Sequence, residues 1–119
     1  MATTTAFDPA ALKRAVEERD AAGQLGLFAD DATLEMIDKE NPPSKPLTLS
    51  GREAIREMLE DVTGRDMTHA VGAVAVDGDR ASYTVDCLYP DGTKVLCMAT
   101  LELREGQIAH QRMIQAWDE

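Results

Sequence analysis

Few side chains in this 119-residue sequence are placed to move protons in a buried site, and Asp86 is the first candidate. Asp86 lies inside the run TVDCLY, where a carboxylate is costly unless it is paired or faces a wet pocket. Asp38, at the start of the loop DKENPPSKP, is the second candidate acid or base. His69 and His110 titrate near neutral pH; we expect His69 to contact a ligand and His110 to be exposed or at an interface.

The sequence does not determine whether the Asp86 side chain points into the interior or toward the surface. If even-numbered residues of its strand face the interior, Asp86 is internal. Otherwise Tyr83, Val85 and Cys87 are internal, and Asp86 is a surface or interface carboxylate near Arg80, Lys94 or Arg112.

The two cysteines, Cys87 and Cys97, have no metal-ligand spacing and no further Cys to complete a zinc site. In a reducing compartment they are expected to be buried free thiols with a structural role. No Ser/His/Asp set, Cys/His set or phosphate-binding glycine loop stands out. We expect neither a metal nor another cofactor.

The composition restricts the class of protein. Charged residues make up 29% and apolar residues 44%, which is typical of a single globular domain spanning residues 1–119, with residues 1–7 predicted to be disordered. The net charge of −10 leaves no basic surface for nucleic acid or anionic membranes. The N-terminal residues do not resemble a signal peptide, so we expect a cytoplasmic protein.

The first half of the chain carries helix signals. Asp8 and Pro9 are suited to the N-cap and first turn of a helix that Gly23 interrupts. A strand is predicted over residues 33–37, after Asp30 and Asp31. The sequence SGRE predicts a capping box, with Ser50 as the cap and Glu53 reaching back, and the helix should end near Gly64.

The second half reads as strands separated by turns. The turn sequences DGD, PDG and EG predict four antiparallel strands over residues 67–76, 80–89, 93–104 and 107–117. The fold class is therefore α+β, with helices packed on one face of a curved sheet. Both faces of the late strands are rich in apolar residues, so the outer face should be covered by a second copy of the chain, forming a homodimer.

The segments LFADDATLE, SGREAI and GQIAHQRMIQAWD, in this order, resemble the nuclear transport factor 2-like superfamily. Its members include ketosteroid isomerases, SnoaL-like polyketide cyclases and limonene epoxide hydrolases. The resemblance extends from about residue 10 to 118. It implies a cone-shaped fold, also called a cystatin-like roll, in which a bent mixed or antiparallel sheet and three helices enclose a mostly apolar pocket. Because this fold hosts many functions, the site residues decide the activity.

The catalytic residues of these enzymes are mostly missing when the patterns are aligned with this sequence. The isomerase base falls on Met36, whose thioether cannot accept a proton. The isomerase oxyanion pair has no Tyr on the first helix and falls on Ala99 or Thr100 on a late strand. The epoxide hydrolase pattern keeps Asp86, lacks its Arg, and places Met113 where the last acid should be. The resemblance to cyclases leaves Asp86 or Asp38 as the acid/base.

The resemblance also implies which residues border the pocket: Met36, His69, Tyr83, Met98, Gln111, Met113 and Trp117. We therefore expect the protein to bind a small hydrophobic molecule there, with or without cofactor-free isomerase- or cyclase-type acid–base chemistry. The alternative is a non-catalytic carrier or dimerisation module. A pocket of roughly 300 Å³ or more that contains a buried carboxylate favours the enzyme, and a collapsed apolar interior favours the module.

Overall fold

The computed structural model describes residues 7–118, and its helices lie in the first half of the chain. They are α1 (Pro9–Glu17), α2 (Ala21–Leu25) and α3 (Arg52–Thr63). Asp8 caps α1 as predicted: its carboxylate accepts hydrogen bonds from the backbone N–H groups of Ala10 and Ala11. None of these helices is long and apolar enough to cross a membrane.

The sheet has seven strands: β1 (Phe28–Ile37), β2 (Leu47–Ser50), β3 (Thr68–Val71), β4 (Ala75–Asp77), β5 (Arg80–Leu88), β6 (Lys94–Arg104) and β7 (Gln107–Trp117). The strand order is β2-β1-β7-β6-β5-β3, with β4 also paired to β5. β1 runs parallel to β7, and the other pairs are antiparallel. This mixed sheet with helices on one face confirms the α+β prediction.

Alternation along the strands separates an inner face from an outer face. On β5 and β6 all odd-numbered residues except the half-buried Leu103 are buried, including Tyr83, Val85 and Leu101, and the even-numbered residues are mostly exposed. The inner face packs against buried side chains of the helices, such as Leu12 and Ile55. Asp86 is even-numbered and therefore lies on the outer face. This answers the question, left open by the sequence, of which residues of β5 face the interior.

Three features differ from the sequence predictions. β1 begins at Phe28 because parallel pairing with β7 continues through an irregularity between Phe28 and Thr33. The strand predicted over 67–76 is divided into β3 and β4. The capping box is wrong: Ser50 pairs with Thr33 as the last residue of β2, and Gly51 takes the cap position at φ +86°, a conformation that favours glycine.

The N-terminal prediction is corrected at one residue. Phe7 is 9% exposed and belongs to the core, so it is not disordered. The other residues of that predicted segment, 1–6, lie outside the described part of the chain.

Candidate functional site

A cavity of about 80 Å³ lies between the inner face of the sheet and the helices. α1 contributes Leu12 and Val16, and α3 contributes Met58 and Leu59. Most of the wall is apolar, and four of the lining residues are methionines: Met36, Met58, Met67 and Met113. Thioether side chains are unbranched and flexible, so they can rearrange around an irregular apolar molecule.

Six of the seven predicted pocket residues border this cavity: Met36, His69, Tyr83, Gln111, Met113 and Trp117. Met36 and Met113 are register partners on the parallel strands β1 and β7 and both face inward. The prediction for Met98 is wrong, because this even-numbered residue of β6 is 49% exposed on the outer face.

Neither candidate carboxylate lies in the cavity. Asp86 borders an outer-face groove together with Thr68, Leu96 and Lys94. The prediction that Asp86 acts as a catalytic acid inside the pocket is therefore wrong, because its side chain lies on the outer face of the sheet. Among the described residues that line the cavity there is no Asp or Glu. Carboxylate-based proton transfer consequently has no group there to perform it.

Asp38 instead organises the loop after β1. Its Oδ1 accepts three hydrogen bonds of 2.9 Å, from the backbone N–H groups of Glu40 and Asn41 and from Asn41 Nδ2. This is a typical Asx-turn arrangement, in which the carboxylate replaces a backbone partner. The loop borders a second hollow of about 410 Å³, and the carboxylate of Asp38 is engaged in holding the loop's shape.

This second hollow is the vestibule of the cavity, since both are bordered by Met36, Met58, Val62, Arg65, Gln115 and Trp117. Trp117 forms part of its rim: the Tyr89 ring stacks on it at a centroid distance of 5.9 Å, and Lys39 Nζ lies 4.4 Å from its ring centroid. An aromatic side chain with a polar edge suits an entrance that an apolar molecule has to pass.

The inner end of the cavity contains polar groups. Gln111 is the buried polar side chain of the inner face, at 4% exposure, and it lowers the pKa of the Tyr83 hydroxyl against the larger effect of burial. Burial raises the pKa of Tyr83 well above its ordinary value, so its hydroxyl stays protonated and can donate. The cavity can therefore offer hydrogen bonds to one polar end of an otherwise apolar molecule.

The most reactive arrangement in the cavity was missed by the sequence analysis. His69 on β3 lies directly opposite Cys87 on β5, and its Nδ1 is 3.2 Å from Cys87 Sγ. Cys97 Sγ on β6 is 4.0 Å from Cys87 Sγ, and both cysteines are free thiols. The shared parity of Cys87 and Cys97 was visible in the sequence. The pairing of His69 with Cys87 was not, because it depends on where β3 ends.

The two thiols differ in acidity. The hydrogen bond from Cys97 and then the one from His69 lower the pKa of Cys87, against the effect of burial. The hydrogen bond to Cys87 and then burial raise the pKa of Cys97. Cys87 is therefore the thiol that ionises, and Cys97 remains a donor. No group of three His, Cys, Asp or Glu side chains among residues 7–118 is arranged to hold a metal ion.

Comparison with known proteins identifies the class. A family model described as the SnoaL-like domain matches residues 10–111, and the chain belongs to this family. The fold is that of nuclear transport factor 2-like proteins, which confirms the resemblance. None of the curated proteins has a sequence that matches this chain.

Solved structures share the fold at low sequence identity. A proposed ketosteroid isomerase from Kribbella flavida is 18% identical with a TM-score of 0.74, covering 92% of this chain and 74% of that one. An NTF2-like protein of unknown function from Mesorhizobium loti is 18% identical with a TM-score of 0.74, covering 88% and 84%. SalBIII, an epoxide hydrolase/cyclase-like enzyme of pyran ring formation, is 24% identical with a TM-score of 0.68, covering 90% and 86%.

Proposed function

We propose that the protein binds a small, largely apolar molecule with one polar end, held in the inner cavity and its vestibule. The observation that carries this proposal is the buried Gln111, a polar side chain on an otherwise apolar inner wall. The Gln111 carboxamide has two N–H donors and one carbonyl acceptor, more than its contact with Tyr83 uses, so a ligand carbonyl or hydroxyl is a suitable further partner.

The size of the site fits this class of ligand. The vestibule, at about 410 Å³, falls within the range of roughly 300–1,000 Å³ that small-molecule sites occupy. The inner cavity is smaller, and it can widen by rotation of its four methionines, which carry no branch at Cβ. The chain's likeness in fold to proteins described as an isomerase and a cyclase-like enzyme supports a small organic ligand.

The structure supports fewer enzymatic reactions than the sequence alone allowed. Isomerase- or cyclase-type chemistry run by a carboxylate is not part of the proposal. The described residues that line the inner cavity include no Asp or Glu. The acids that border the vestibule, Asp38, Glu40 and Asp61, do not line that cavity. The observation that favours a carrier or dimerisation module is the small volume of the inner cavity, about 80 Å³. Ligand binding separates the proposed function from a dimerisation module whose interior is filled by its own side chains, whereas a non-catalytic carrier would bind a ligand as well.

The experiment is a titration with N-phenyl-1-naphthylamine, a neutral apolar dye whose emission rises in an apolar site. Wild-type protein should bind it saturably, and Met113→Trp should weaken binding at least about tenfold by filling the cavity. Met98→Trp is the matched control, since the same substitution then points outward from the neighbouring strand. Equal binding by all three proteins, or none by the wild type, would refute the proposal.

We also propose that the outer sheet face packs against a second copy of the chain in a cytoplasmic homodimer. Four large apolar side chains of this face are 44–49% exposed: Leu88, Leu96, Met98 and Ile114. Such a cluster on the exposed side of a sheet is typical of an association surface. Sedimentation equilibrium should show a dimer for the wild type and a monomer for Leu96→Arg; a monomeric wild type would contradict this part of the proposal.

A further inference from the structure

We infer that Cys87 is a nucleophile that bonds covalently to small α,β-unsaturated carbonyl compounds inside the cavity, with His69 moving the proton. This inference rests on the proposed function, because the electrophile must enter the same cavity as the apolar ligand. It assigns a reactive group to the inner cavity, whose described lining residues include no carboxylate.

The geometry brings the three groups together on the inner face of the sheet. His69 and Cys87 are register partners on antiparallel strands, so their side chains leave the sheet on the same side. Cys97 stands diagonally across from Cys87, since the partner of Cys87 on β6 is Val95. His69, Cys87 and Cys97 all border the cavity. A ligand in the cavity can thus reach a thiol that is only 5% exposed to solvent.

The surroundings favour ionisation of one thiol only. Cys97 and His69 hydrogen-bond Cys87 and lower its pKa, whereas burial and the charge of Asp86, on the opposite face of the same strand, raise it. A thiolate paired with an imidazole is the arrangement that activates cysteine as a nucleophile.

The reaction is balanced without any oxidant. His69 takes the thiol proton, and Cys87 Sγ forms a bond to the β-carbon of the conjugated carbonyl. The π-electron pair of the C=C bond moves to give an enolate, whose oxygen Gln111 and Tyr83 can stabilise as hydrogen-bond donors lining the same cavity. The imidazolium then returns the proton to the α-carbon. In total, S–H adds across C=C, and the addition is reversible by the same steps.

A matched pair of ligands tests the inference and separates it from the proposed function. Cyclohexanone and 2-cyclohexen-1-one have nearly the same shape, but only the second is an electrophile. Saturation-transfer NMR measures binding of cyclohexanone to the full chain, and intact-mass spectrometry with peptide mapping locates the adduct of 2-cyclohexen-1-one.

We expect one adduct, on Cys87, formed at least about tenfold faster than on Cys97, because Cys87 is the thiol that ionises and Cys97 stays protonated. Cys87→Ala should lose the adduct, and Cys97→Ala should keep it on Cys87. His69→Asn should slow its formation about tenfold or more, whereas the matched outer-face variant His110→Asn should not. Melting curves check that each variant is folded.

The outcomes are distinguishable. Cyclohexanone binding without an adduct overturns the nucleophile alone, as does equal labelling of both cysteines or an unchanged rate in His69→Asn. An adduct on Cys87 without detectable cyclohexanone binding supports the nucleophile and contradicts the proposed function, because the electrophile then enters the cavity but an apolar ligand is not held there. Absence of both signals overturns both.

Discussion

Truncating Met36 and Met98 to alanine should have very different costs, because the two methionines lie on opposite faces of one sheet. Met36 is 6% exposed and borders the cavity, and Met98 is 49% exposed. Buried Met→Ala substitutions cost about 2–5 kcal/mol. Met36 already faces an open volume of about 80 Å³ and so makes fewer contacts on that side, which places its cost at about 2–3 kcal/mol.

Met98→Ala should cost less than about 1 kcal/mol, since half of its side chain is already in water. Urea unfolding at constant m-value measures both free energies, and for a chain of 119 residues the difference corresponds to roughly 5–15 °C in melting temperature. Repeating the unfolding at two protein concentrations isolates any contribution from a dimer interface, which would make the cost of Met98→Ala depend on concentration.

Equal costs for the two variants at low protein concentration, or a larger cost for Met98→Ala, would refute the assignment of strand faces. Three conclusions depend on that assignment: that the cavity lies on the inner face, that Asp86 lies outside it, and that Met113 points into it.

Three further predictions concern the polar groups. Asp86→Asn should leave dye binding and melting temperature nearly unchanged, because this side chain lies on the outer face; loss of binding would return Asp86 to the site. Asp38→Ala should lower the free energy of unfolding by about 1–2 kcal/mol through loss of the loop's hydrogen bonds, measured by urea unfolding; unchanged stability would contradict its structural role. The rate at which iodoacetamide alkylates Cys87 should rise with pH, with a midpoint below the ordinary thiol pKa of about 8.5. The reason is that Cys97 and His69 lower the pKa of Cys87, so its thiolate persists to lower pH. His69→Asn should move that midpoint upward, and a midpoint at or above 8.5 in the wild type would contradict the pairing.

Sequence patterns predicted the elements well wherever a local signal decides them. The Asp8 cap and the turns between the late strands depend on residues that are neighbours in the chain, and the structure confirms them. The capping-box prediction is wrong because Ser50 takes part in a non-local interaction instead: it pairs with Thr33 of β1 as the last residue of β2. The same pairing sets Gly51, whose N–H bonds to Ala32 O, at the start of α3.

The site was predictable only in part for a similar reason. Apolar residues occupy both parities of β5 and β6, so the sequence could not show that Asp86 and Met98 face outward. The family resemblance put Met36 and Met113 on the two strands that lie beside the cavity, because it implies the pairing of those strands. The His69–Cys87 contact needs the register of β3 on β5, which ends where the backbone N–H of Gly72 bonds to Thr84 O. A Cβ at Gly72 would lie 2.5 Å from Thr84 Oγ1, so a larger residue there would require the Thr84 side chain to move away.

Methyl NMR of the six methionines during a titration with cyclohexanone tests the apolar-site proposal most directly. The methyl resonances of Met36, Met58, Met67 and Met113 should shift saturably, and that of Met98 should stay in place as an internal control. No shift of the four cavity methionines, or a shift confined to Met98, would contradict ligand binding in this cavity.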